Sequence, residues 1–91
     1  MINVPKYQFV GPNTTGEALK TKIFLDKILD HEQIAEICLH QMEDIDLAGF
    51  NLLVAAYFKA QRQGKSLKYV GGKLPKFYHL VDLTQFQHVF A

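Results

Sequence analysis

The residues of this chain that could do chemistry collect in a few short stretches. His40, Glu43, Asp44 and Asp46 lie close together, and carboxylates beside an imidazole can hold a hard cation or share acid–base work. Their spacing argues against both, because there is no second histidine at i+4 and no closing set of ligands. Turn residues followed by a helix cap account for the acids with fewer assumptions. Cys38 and His40 stand two residues apart on an extended segment, so a thiolate–imidazole pair is conceivable; a cysteine acting as a small buried hydrophobe is the simpler reading. Gly71-Gly72-Lys73 follows one element and opens another, which invites a phosphate. It lacks the P-loop spacing and the third glycine of a dinucleotide loop, so a tight turn is expected. No catalytic residue, metal or cofactor is assigned.

Positioning these groups falls to the stretch from Ile45 to Gly64. Asp46 is a good N-cap, with a carboxylate able to accept from orphan amides of the first turn. Phe50, Leu53, Val54, Tyr57, Phe58 and Gln61 recur at helical spacing. Lys59 and Arg62 suit the negative end of the dipole, and Gly64 suits the left-handed stop. A helix from Leu47 to Gln63 is predicted, roughly 25 Å long at ~1.5 Å per residue. Ile34 to Leu39 reads as a strand buried on both faces, and Ser66 to Val70 as another. Strand, helix, glycine turn and strand make a βαβ unit, and Asp46 then lies at a strand's carboxyl end, where open α/β sheets place their sites.

Earlier in the chain, Tyr7 to Val10 is a strand candidate closed by Gly11-Pro12. Thr14 and Glu17 have capping-box spacing before an amphipathic helix to about His31, with Leu19, Ile23, Phe24, Ile28 and Leu29 expected toward the core. Beyond Val70, Leu74-Pro75 begins a third helix with Phe77, Leu80 and Val81 as its apolar stripe. Thr84 to Phe90 fits either a strand or a helical turn. The fold class expected is α/β: a small mixed, mainly parallel sheet with helices packed on it, in a single domain over 1–91.

Composition narrows the function. The 48% hydrophobic and 21% charged content belongs to a globular chain rather than a disordered one. No run reaches the ~20 apolar residues of a bilayer span, and the first residues do not resemble a signal peptide, so no direct membrane insertion is expected. The single cysteine, Cys38, rules out a disulfide framework and suggests a reducing cytoplasm. A net charge of +1 is too balanced for a nucleic-acid partner. Arg62, Lys65, Lys68, Lys73 and Lys76 read as a solvated rim.

Leu39 to Gly49, then Leu52 to Ala56, then Gln63 to Gly71, and finally Leu80-Val81-Asp82-Leu83-Thr84-Gln85-Phe86 resemble, in order and spacing, the STAS domain of anti-sigma-factor antagonists. The first half of the chain is more similar to the compact branch that includes the MlaB-type subunits of lipid-transport ABC systems. The family pattern has Asp-Ser-x-Gly at the helix start. Asp46 and Gly49 match it, whereas Leu47 stands at the phosphorylatable Ser/Thr position, and Cys38 stands where the pattern has a strand Asp. The resemblance implies a bacterial, non-catalytic module for protein–protein interaction and partner switching, without a phosphorylation site. Its partner-binding edge would comprise Asp46, Leu47, Ala48, Gly49, Phe50, Gly72 and Lys73, with Phe50 flanking Leu47 as an apolar contact. The implied partner is a GHKL-type serine kinase or anti-sigma factor; the alternative is the ATPase of an ABC transporter. Packing of Leu47 under the Gly72-Lys73 loop is the plain alternative for that residue, and a small enzyme using the acidic edge is a further one for the chain.

Overall fold

The computed structural model describes residues 3–90. Its elements run β1 (Lys6–Gln8), β2 (Gly11–Asn13), a 3₁₀ turn (Thr15–Glu17), α1 (Ala18–His31), β3 (Ile34–Cys38), β4 (Met42–Ile45), α2 (Leu47–Arg62), β5 (Ser66–Val70), α3 (Pro75–Thr84) and a 3₁₀ turn (Gln87–Val89). A three-stranded sheet has the order β1-β3-β5, and β2 pairs with β4 beside it. Every one of these pairings is parallel. The expected α/β class therefore holds.

The N-terminal extended segment is longer than its sequence pattern suggests. Gly11-Pro12, expected to end a strand, instead forms a bulge within it: Gly11 has φ +98° and the register against β4 shifts between these two residues. Only glycine adopts that φ without strain, and proline is tolerated because a bulge needs one amide fewer. The segment pairs first with β3 and then with β4. A turn across Leu39–Met42, closed by the Met42 amide on the Leu39 carbonyl (3.1 Å), offsets β4 from β3 in the same way.

β3 is not buried on both faces. Ala35 and Ile37, followed by Leu39, are buried, whereas Glu36 and Cys38 are half-buried, the alternation of a strand with one covered face. Its neighbours agree: Leu67 and Tyr69 face the core and Lys68 faces water. Cys38 thus lies on the less covered face, not in the interior.

α1 buries Ile28 and Leu29 as expected but not the first part of the expected stripe. Thr21, Leu25, Ile28 and Leu29 are buried, Phe24 is half-buried with its ring edge-on to Phe9 at 5.5 Å, and Leu19 and Ile23 are exposed. Thr21 shares the covered face with Leu25, Ile28 and Leu29, and its hydroxyl donates to the fully buried Asn13 amide oxygen at 3.1 Å. A buried amide without a partner costs about 1–3 kcal/mol, so this bond adds to the apolar packing of that face. The capping box is also absent: Thr14 makes no side-chain cap bond.

α2 packs through Phe50, Leu53, Val54, Ala56 and Ala60. At one end of the core, Phe90 meets Phe50, Phe77 and Tyr69 at centroid distances of 5.3, 5.0 and 5.3 Å. This resolves the ambiguous tail: Val89 and Phe90 fold back through a 3₁₀ turn, and no strand forms there.

Candidate functional site

The site is built where β4 ends and α2 begins. Asp46 sits in extended conformation between them, and its two carboxylate oxygens do separate work. Oδ1 accepts the Gly49 amide at 2.9 Å, the expected N-cap bond. Oδ2 accepts both the amide and the hydroxyl of Thr15 at 2.8 Å. The cap of α2 therefore also ties down the turn that leads into α1. These donors favour the charged form, the Gly49 amide foremost and the Thr15 amide next, so the Asp46 carboxyl lies below its ordinary range.

Asn13 holds the other side of this junction. Its backbone carbonyl accepts the Asp46 amide at 3.3 Å. Its side-chain amide donates to the Gly49 carbonyl at 3.1 Å and points a second hydrogen at the Met42 sulfur, 3.8 Å away. With Thr21 on the amide oxygen, this side chain is fully partnered although it is wholly buried. Gly49 is obligatory for steric reasons: a Cβ there would lie 1.9 Å from the Asn13 carbonyl oxygen. The pattern glycine is thus explained by backbone approach.

Leu47, the first residue of α2, is 54% exposed, and Ala48 is half-buried. More than half of the Leu47 side chain is therefore open to solvent rather than covered by a neighbouring loop. Phe50 is the correction: it is fully buried, 6.3 Å from Phe77 and 5.3 Å from Phe90, and does not flank Leu47 at the surface. It lies one helical turn further, where α2 has rotated onto the core. Gly49 is likewise buried. Both residues support the edge from beneath.

The loop after β5 borders the same end of the sheet. Gly71 has φ +74°, and Gly72 lies so close to the Phe77 ring that a Cβ would come within 2.5 Å of it. Lys73 is exposed, with its ammonium 3.4 Å from His40 Nε2. Lys76, in the first turn of α3, pairs with Asp44 at 3.0 Å. That ammonium, with the Ile45 amide second, holds the Asp44 carboxyl below its ordinary value. Lys76 thus stands on Asp44 and Lys73 on His40, and both aspartates are engaged in hydrogen bonds within the fold.

Asp44 and Asp46 carry structural hydrogen bonds, Glu43 points into solvent, and no group of metal ligands forms among the described residues. Cys38 and His40 share no hydrogen bond among those residues. What the sequence reading missed is the part played by Asn13, Thr15 and Thr21. The polar run Asn13-Thr14-Thr15 is the available signal, of which only Thr14 is expected to act, as a cap of α1.

No family model and no curated protein matches the chain. Among solved structures it is similar to a sulfate transporter family protein from Wolinella succinogenes, with a TM-score of 0.69 and 21% identity, over 97% of this chain and 71% of that one. It is also similar to the Bacillus cell fate determinant SpoIIAA in its phosphorylated form, with a TM-score of 0.67 and 7% identity, over 100% of this chain and 85% of that one. At these identities the shared property is the fold, and the chain has the STAS fold.

Proposed function

We propose that this STAS-fold domain is a non-catalytic regulatory module that captures a protein partner on the edge formed by Asp46, Leu47 and Ala48 with Gly72 and Lys73. The observation that carries the reading is Leu47: a leucine 54% exposed, at the first position of a helix whose start is held by the Asp46 carboxylate, which accepts from Gly49 and Thr15, and by Asn13, which donates to Gly49 and accepts from the Asp46 amide. A rigid, bare apolar side chain binds at low ordering cost. Lys73, exposed beside the edge, offers a partner a cationic contact next to the apolar one.

One structural neighbour is described in a phosphorylated form, and phosphate at a docking edge adds about −1.5 to −2 charges that a partner must desolvate. Leu47 has no hydroxyl, so the edge on this chain is not gated that way. The partner we favour is a GHKL-type serine kinase or anti-sigma factor in the cytoplasm of a bacterium. The second reading is the ATPase of a lipid-transport ABC system, as for MlaB-type subunits, and the missing hydroxyl favours it because a constitutive subunit needs no switch. Affinity purification from the native cell, with wild type and Leu47→Asp side by side, tests the proposal. A histidine-kinase-like ATPase lost from the variant supports the first reading, an ABC ATPase lost from it supports the second, and a partner retained equally by both proteins overturns the site.

A further inference from the structure

The groove between α1 and α2 has residues that the edge at Leu47 does not use. The two helices run side by side in the same direction. Thr15 meets Asp46 at their starts, Asp26 meets Lys59 at 3.5 Å further along, and the Lys65 ammonium reaches the Leu29 carbonyl near their ends. Between them lies an open groove of about 140 Å³, with Leu25, Leu52, Ala55 and Ala56 along it. Ala55 and Ala56 are small, so the cleft between the helices is left unfilled. On the outer side of α1, Leu19 and Ile23 stand one turn apart at 72% and 46% exposure. Thr21, Leu25, Ile28 and Leu29 face the other way, into the core, and Leu19 and Ile23 are left exposed among the described residues.

Charge says what kind of surface fits. The walls carry Lys22, Lys59 and Arg62 against one carboxylate, Asp26. Asp26 is already shared by Lys22 at 2.9 Å and Lys59 at 3.5 Å, and these cations hold its carboxyl below the ordinary range, Lys22 foremost. Arg62 is exposed and forms no ion pair among the described residues. The groove is therefore apolar along its floor and net positive at its rim.

We propose that the α1–α2 groove is a second docking surface, and that it takes an acidic amphipathic helix supplied by a partner protein. Apolar side chains of that helix at i, i+3 and i+4 would lie over Leu52 and Ala55, with its carboxylates on Arg62, Lys59 and Lys22. From Leu52 to Arg62 the groove runs about 15 Å along α2 at ~1.5 Å per residue, the length of about three helical turns.

The test uses the intact chain and a fluorescein-labelled designed peptide of about 18 residues, with Leu at helical spacing and Glu on the flanks. Fluorescence anisotropy should show saturable binding, with amide shifts at Leu52, Ala55 and Arg62. Arg62→Glu should weaken it about tenfold, and Ala55→Trp, at an exposed position, should block it while the circular dichroism spectrum stays unchanged. Leu47→Asp should leave peptide binding intact, which separates this groove from the edge at Leu47. Equal binding of a peptide with Lys in place of Glu, recruitment only by phosphatidylglycerol vesicles, or loss of peptide binding in Leu47→Asp would each overturn the proposal.

Discussion

Replacing Leu47 with Asp puts a carboxylate on the first residue of α2 and removes the apolar group that the docking edge presents. Full burial of a leucine side chain is worth about 1.5–3 kcal/mol. Leu47 is 54% exposed, so a partner covers roughly half of that surface, for about 1 kcal/mol. Leu47→Ala should then weaken capture about fivefold. Leu47→Asp adds the desolvation of a charge, close to Asp44 and Asp46 in sequence, at a cost of at least about 2 kcal/mol. The total is about 3 kcal/mol, or on the order of a hundredfold in Kd. The fold should tolerate the change, because the side chain points to water and a carboxylate suits a helix amino end. Its melting temperature should stay within about 2 °C of wild type. Isothermal titration with the purified partner, alongside thermal denaturation, measures both quantities. A folded Leu47→Asp protein that binds within about twofold of wild type would refute the assignment of this edge.

Gly49→Ala should unfold the domain or cost more than about 3 kcal/mol in urea denaturation, because the new methyl carbon falls 1.9 Å from a backbone carbonyl. Asn13→Leu should cost about 2–4 kcal/mol by the same measurement, since it strips partners from Thr21 and Gly49 in a fully buried setting. Acid denaturation should report the aspartates. Asp44 is held down first by Lys76 and Asp46 first by the Gly49 amide, so the unfolded chain takes up protons before the folded one as pH falls. Their contribution is whole above the ordinary carboxylate value of about 4 and is lost as pH drops through the folded values. Asp46→Asn should be less stable at neutral pH and show a shallower loss below about pH 4; an unchanged acid limb would contradict the cap geometry. Tyr69 is buried with its hydroxyl on the Leu53 carbonyl at 2.7 Å, and burial pushes its ionisation upward. An ultraviolet titration should therefore find its phenol silent until the protein unfolds in alkali, and Tyr69→Phe should remove that late step.

The long local patterns of the chain were enough to specify α2, β5 and α3, the role of Asp46 as a helix cap and the α/β class. Each of these rests on periodicity or on contacts within one turn, which neighbouring residues encode. The STAS fold was legible for the same reason, since the order of Asp46, Gly49, the strand at Ser66–Val70 and the Leu83-Thr84 end of α3 survives without distant information. Tertiary structure decided the rest. Three- and four-residue strands such as β2 and β4 carry too few side chains to show alternation, and they exist because they pair with each other across the chain. Which face of α1 is covered depends on what it packs against: Thr21 goes inside with Leu25, Ile28 and Leu29 and meets the buried amide of Asn13, and Leu19 and Ile23 are left in solvent. The same distinction separates Leu47 from Phe50: sequence marks both as apolar, and only the docking of α2 onto the sheet determines which is core and which is left bare.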